Sequence, residues 1–165
     1  MLFDQKLDVN AIPSLMNYIF RIAPYGLWSK RFSNFHEQEK RNPLLSEYFD
    51  NEFSLERTFE GIQRYYKATG RYSGVDEVNY ELFSFLALVK LVHERLSETG
   101  RSKLQSSIRD GLQDDKGLGP LATELRTSSQ LMRQGFEVSF TDLEGRERYD
   151  LLALKGTPAA SEPEP

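Results

Sequence analysis

The sequence predicts a mainly α-helical fold that finishes with a helix and a two-stranded antiparallel hairpin. Apolar residues recur at helical spacing from Ala11 to about Gly135, and prolines and glycines interrupt the pattern at intervals. After Gly135 the period of the apolar residues changes from 3.6 to 2. These observations together favour a helical array followed by two short strands.

The best-supported helix covers Ser54–Thr69. Its apolar residues fall on one face, at the spacing i, i+4, i+7 and i+11: Leu55, Phe59, Ile62 and Tyr66. Gly70 follows and can adopt the left-handed conformation that ends many helices. An amphipathic helix that ends at Gly70 is therefore predicted.

Residues 78–96 are apolar around most of the helical circumference. This run begins at Val78, and a helix without a polar stripe is typically buried. Asp76 precedes the run and can cap its free backbone N–H groups, while Gly100 follows its last turn. We expect this segment to be the buried central helix.

The last helix is predicted after Pro120 and ends at Gly135. Its apolar or small residues recur at helical spacing: Leu121, Leu125, Ser128 and Met132. Two runs with alternating polarity follow, one with Phe136, Val138 and Phe140 and one with Tyr149, Leu151 and Ala153. They predict two short antiparallel strands.

Composition excludes several classes of function. The chain has 165 residues, no Cys and two His, so disulfide frameworks, thiolate metal sites and Cys nucleophiles are excluded. A net charge of −4 and a pI near 5.3 argue against bulk capture of nucleic acid, which would need a local basic patch. No run approaches the roughly 20 apolar residues of a membrane span. We expect a cytoplasmic protein without a membrane partner.

Residues 121–154 resemble the opening of the PD-(D/E)XK, or restriction-endonuclease-like, nuclease fold. The matching segments are Glu124-Leu125-Arg126 on the helix, residues 135–140 entering the first strand, and residues 148–153 as the second strand. The resemblance implies that Glu124 and Asp150 are catalytic carboxylates that bind a divalent cation, Mg²⁺ or Mn²⁺. It implies nucleic acid as the substrate class.

The family's third strand carries an acidic residue and a Lys two positions later, and this pair is not found after Asp150. Lys155 has Ala153 two positions before it. We therefore expect an incomplete core without efficient hydrolysis, in a gene product cut short near Gly156 or in a domain that has lost catalysis. The expected organisation is a helical region over 1–117, an incomplete nuclease-like helix plus hairpin over 118–155, and a disordered tail over 156–165.

Two groups of basic residues are interleaved with aromatic residues, a composition that can contact phosphates and stacked bases. The candidate nucleic-acid-binding residues are Lys30, Arg31, Lys40, Arg41, Arg64, Lys67 and Arg71. The competing interpretation is a solvated helix face whose aromatic residues belong to the core.

A second hypothesis assigns the chain to a different class, a non-catalytic helical interaction module. A two-stranded hairpin leaves an open edge along residues 148–154, which can pair with a strand of a protein partner or of a second copy. This hypothesis predicts a homo-oligomer or a complex with another protein.

Overall fold

The computed structural model of the chain describes residues 9–145 and 151–155. A short 3-10 turn, Val9–Ala11, leads into helices and a small antiparallel sheet. The described elements are α1 Ile12–Ile22, α2 Tyr25–Arg41, α3 Leu45–Glu52, α4 Ser54–Thr69, α5 Tyr80–Arg95, α6 Glu98–Gln113, α7 Gly119–Arg133, β1 Phe136–Ser139 and β2 Leu152–Lys155. This mainly helical architecture confirms the predicted fold class. None of the described helices is both long and apolar enough to cross a membrane.

Helix α5 lies at the centre of the core and packs against α1, α4, α6 and α7. Its inward-facing side chains include Phe83 and Val89, which are completely buried. Residues from both sides of the expected boundary at 117/118 share one core, because Leu118 and Leu125 cluster with residues of α1 and α5. Residues 156–165, where we expected a disordered tail, lie outside the described residues.

The predicted start of the central helix is wrong by two residues. Val78 precedes α5 and is 78% exposed. The Asp76 carboxylate accepts hydrogen bonds from the backbone N–H groups of Val78 and Asn79, at 3.0 and 2.9 Å, so it orders the preceding turn instead of capping the first helical turn. Gly100 does not end α5 either, because it lies in the first turn of α6.

Both glycine-terminated helices agree with the sequence prediction. Helix α4 covers Ser54–Thr69, and Gly70 has a φ of 71°. Helix α7 ends at Arg133, and Gly135 has a φ of 85°. Both glycines therefore adopt the left-handed conformation, which side chains with a Cβ disfavour.

The hairpin pairs β1 with β2 in antiparallel register, Phe136 opposite Lys155 and Ser139 opposite Leu152. The predicted second strand begins at residue 148, but residues 146–150 lie outside the described part, and β2 begins at Leu152. The connection is anchored to α6, because the Glu144 carboxylate accepts a hydrogen bond from the backbone N–H of Ser97 at 2.9 Å. Leucine side chains of β2 face solvent.

A buried carboxylate joins three helices. Glu56 of α4 is 1% exposed, and its Oε1 accepts a hydrogen bond from the backbone N–H of Leu118, where α7 begins, at 2.9 Å. The guanidinium of Arg31, from α2, lies 4.0 Å from the same oxygen. Burial raises the pKa of Glu56, and the Leu118 N–H and the Arg31 charge oppose this rise. Gly117 passes close to the carboxylate: a Cβ there would approach Oε1 to 2.7 Å.

We predict that Glu56→Ala lowers the free energy of unfolding by roughly 3–5 kcal/mol, because it leaves Arg31 buried without its counter-charge. Glu56→Gln should cost less, since it keeps an oxygen that can accept the Leu118 N–H. Urea denaturation measures both changes. Glu52→Ala, at an exposed position of α3, is the matched control and should stay within about 0.5 kcal/mol of the wild type. Equal losses at positions 52 and 56 would contradict the prediction.

Candidate metal-binding groove and basic surfaces

A groove of about 880 Å³ lies between the end of α6 and the start of α7. Its polar lining includes the carboxylates of Asp110, Asp114 and Glu124 and the ammonium group of Lys116. Three negative charges against one positive charge give the groove a formal charge of −2. Its potential therefore favours cations and repels phosphate groups.

Glu124 lies in the second turn of α7 and is half-buried. Pro120 is compatible with the first turn of this helix because its missing N–H has no partner to lose there. Ala122 and Leu125 direct one face of α7 into the core, and Glu124 lies at the edge of that face. A carboxylate near the start of a helix is also stabilised by the helix dipole.

Leu151, the residue after Asp150 in the sequence, lines the same groove as Glu124. Asp150 itself lies outside the described residues, as do residues 146–149. Within residues 9–145 and 151–155, no three His, Asp or Glu side chains come close enough together to hold a metal ion. Glu124 is thus the one predicted ligand that the structure describes, and it lies in an acidic groove.

Asp110 and Asp114 are not among the site residues predicted from the sequence. Asp110 and Asp114 are four residues apart at the end of α6, where the backbone N–H of Asp114 still bonds to the Asp110 carbonyl at 2.7 Å. This i, i+4 spacing places both side chains on one face of a helix. This spacing was the signal in the sequence that could have identified the pair. It does not show which helix faces the two carboxylates, because that depends on tertiary packing.

No family model, curated protein or solved structure matches the chain. Its fold and its surfaces are therefore the observations from which a function is inferred. The groove supplies one candidate site, and the basic residues supply another.

Arg31 is the one predicted nucleic-acid contact that the structure places in the interior. Its guanidinium carbon lies 4.8 Å from the centroid of the Phe35 ring and 4.5 Å from that of Phe53. Burial lowers the pKa of Arg31, and the nearby Glu56 carboxylate opposes this shift. In this position the guanidinium packs between aromatic rings and not against solvent.

The exposed candidates are divided between the two ends of an antiparallel helix pair. Lys67 near the end of α4 donates a hydrogen bond from Nζ to the Tyr25 hydroxyl at the start of α2, at 2.8 Å. Lys40 and Arg41 lie in the last turn of α2. Since α2 has 17 residues, a rise of about 1.5 Å per residue separates its ends by roughly 25 Å. Arg64, Lys67 and Arg71 therefore form one surface, and Lys40 and Arg41 form another, with Lys30 exposed on α2 between them.

A network of charged groups lies between these two surfaces. Arg57 bonds to Glu39 at 2.5 Å, to Asp50 at 2.8 Å and to Glu60 at 3.2 Å. His36 contacts the Glu60 carboxylate as well. The carboxylates of Glu39, Asp50 and Glu60 thus lie between the basic residues at the two ends of this helix pair.

His93 is half-buried, and its ring joins three helices. Nδ1 lies 2.6 Å from the Tyr18 hydroxyl, and Nε2 lies 2.9 Å from Nε2 of Gln105. Burial lowers the pKa of His93, and the positive charge of Arg101 lowers it further. A neutral ring with its proton on Nδ1 satisfies both contacts: it donates to Tyr18 and accepts from Gln105.

We predict that His93 makes the fold less stable as the pH falls. The unfolded chain takes up a proton at this position near pH 6.5, whereas the folded ring does so only at lower pH. The stability is therefore complete above about pH 6.5 and is lost as the pH falls from there towards the folded pKa. Urea midpoints between pH 8 and pH 5 measure this dependence, and His93→Gln should weaken it.

The pH dependence of stability is best compared between proteins with and without His93→Gln in a His36→Gln background, because this background lacks the other histidine of the chain. If His93→Gln leaves the decline between pH 7 and pH 5 unchanged in that background, the proposed titration does not occur.

Proposed function

We propose that residues 119–155 form the helix and hairpin of a metal-dependent, nuclease-related core, with Glu124 and Asp150 as carboxylate ligands of Mg²⁺ or Mn²⁺. One observation supports this proposal above the others: the groove that contains Glu124 also contains Leu151, which follows Asp150 in the sequence. The order of α7, β1 and β2 is also the order that the PD-(D/E)XK resemblance implies.

The chemistry of the groove suits a hard divalent cation. Mg²⁺ and Mn²⁺ take oxygen ligands, and the groove offers carboxylates with a formal charge of −2. A bound cation would neutralise this charge and could then contact a phosphodiester oxygen and lower the pKa of a water molecule. Without a cation the same carboxylates repel phosphate.

Efficient hydrolysis is not part of the proposal. The sequence after Asp150 contains no acidic residue followed two positions later by Lys. A positive charge beside the attacking water and the phosphate stabilises the transition state in this kind of chemistry. We therefore propose cation binding without efficient phosphodiester cleavage.

We predict that Mn²⁺ titration, followed by the electron paramagnetic resonance signal of the free ion, detects a site that Mg²⁺ competes for. Glu124→Gln and Asp150→Asn should each weaken Mn²⁺ binding by about tenfold or more, since loss of an outer-shell partner alone costs about 10- to 100-fold. Glu137→Gln, at an exposed position of β1, is the matched control and should leave Mn²⁺ affinity unchanged.

Cleavage of labelled DNA and RNA in Mg²⁺ or Mn²⁺ tests the rest of the proposal. Rapid cleavage that Asp150→Ala abolishes would contradict the proposed lack of efficient cleavage, although it would support the ligand role. Mn²⁺ affinity that is equal in the wild type and both ligand variants would exclude the proposed site.

A second candidate function is protein interaction through β2. Leu152 and Leu154 are 44% and 57% exposed, and β2 pairs with β1 along one edge only in the described sheet. An open edge with exposed apolar side chains can pair with a further strand. The pairing strand would come from a second copy of this chain or from a protein partner.

This second candidate predicts concentration-dependent self-association. Leu154→Lys should shift the protein to a monomer, because it places a charge on the exposed face of the edge strand. Light scattering over a range of protein concentrations measures the shift. Leu44 is an exposed leucine distant in the sequence from β2, and Leu44→Lys should have no effect on self-association. A wild-type protein that remains monomeric at high concentration would exclude association between copies.

A further inference from the structure

A basic segment without carboxylates covers the end of α4 and the turn after it. Residues 61–75 contain Arg64, Lys67 and Arg71 and no Asp or Glu. Their formal charge is +3 in a chain whose net charge is −4, so the remaining residues carry −7. This local excess gives the segment a positive potential that the protein as a whole lacks.

Two tyrosine rings stack within this segment. The centroids of Tyr66 and Tyr72 are 4.4 Å apart, and their planes differ by 20°. Tyr72 packs against the hydrophobic core, and burial raises the pKa of its hydroxyl. Tyr72 is therefore held in place, and Tyr66 lies on it as the outer ring, with 39% of its surface exposed.

The cations of this segment are accessible. Arg64 lies 3.5 Å from Glu60, but its side chain remains 73% exposed. Among the residues that the structure describes, Lys67 and Arg71 form no ion pair. The carbonyl groups at the end of α4 are already bonded, Tyr65 O to the Thr69 hydroxyl at 2.9 Å and Tyr66 O to the Gly70 N–H at 2.8 Å.

We propose that the tyrosine platform, formed by Tyr66, Tyr72 and their sequence neighbours Lys67 and Arg71, binds single-stranded nucleic acid. A base would stack on the outer face of Tyr66 and extend the existing Tyr66–Tyr72 stack. Lys67 and Arg71, each next to one of these tyrosines in the sequence, would contact phosphates on either side of that base. Stacking on aromatic rings combined with phosphate contacts is the usual physical basis of binding to single strands.

The platform favours a single strand over a duplex and over an acidic peptide. Bases in a duplex are already stacked on their neighbours, so they cannot cover Tyr66 without being unstacked. An acidic peptide would use the cations but leave the exposed tyrosine ring without a stacking partner. The proposal requires no metal ion, and it holds or fails independently of the groove.

Fluorescence anisotropy with a labelled oligothymidine of about 20 nucleotides tests the proposal in EDTA. We expect binding that is tighter than binding of a matched duplex. The logarithm of the association constant should fall with the logarithm of the salt concentration with a slope of about −1.4, for two phosphate contacts on a single strand. Arg71→Gln should make this slope less steep by about 0.7.

Substitutions of Tyr66 test whether a base stacks on its ring. Tyr66→Ala should weaken binding by about 5- to 150-fold without changing the salt slope, whereas Tyr66→Phe should keep the affinity. Tyr48→Ala removes an exposed tyrosine of α3, outside the platform, and should have no effect. Circular dichroism checks that each variant is folded.

Three results would overturn the proposal: equal affinity for single strand and duplex, equal affinity of Tyr66→Ala and the wild type, or competition by polyglutamate as strong as that by unlabelled oligothymidine. Because the assay contains EDTA, a failed cation site in the groove cannot produce any of them. Cation binding at the groove is measured separately by the Mn²⁺ titration, so failure of this proposal and failure of the proposed function are distinguishable.

Discussion

The Glu56 carboxylate is the contact on which the arrangement of α2, α4 and α7 depends. It takes a negative charge into the core, where an unpaired carboxylate would be strongly unfavourable. The Leu118 N–H, the start of α7 and the Arg31 guanidinium together compensate for the lost solvation. Nε and Nη2 of Arg31 have no hydrogen-bond partner among the described residues. Removal of either group would therefore leave the other buried without its opposite charge.

The position of the groove follows from this junction and from a second one at the hairpin. Gly117 passes next to Glu56 and also lines the groove, so the start of α7 is fixed relative to α4. At the other end, Glu144 bonds to Ser97 at the start of α6. The two carboxylates hold the helix that carries Glu124 and the connection between the strands on the same framework.

Local patterns predicted most elements of this fold. The limits of α4 and the end of α7 follow from apolar periodicity and a terminal glycine, because both signals act within a few residues. The start of α5 does not, since an apolar Val78 can lie outside a helix when Asp76 orders the turn. The burial of Arg31 depends on Glu56, 25 positions away in the sequence, and no local pattern identifies such a distant partner. For the same reason the sequence did not predict that Glu39, Asp50 and Glu60 lie between the two groups of basic residues.

Helix α4 connects the two proposed sites and carries charges of opposite sign at its ends. Glu56 lies beside the groove, and Tyr66, ten residues later, lies on the tyrosine platform, about 15 Å along the helix axis. A polyanion would be attracted at the platform and repelled at the groove unless a cation neutralised the carboxylates there. If both proposals hold, the platform therefore retains a nucleic acid in any metal condition, and divalent cation binding decides whether the same strand can also enter the groove.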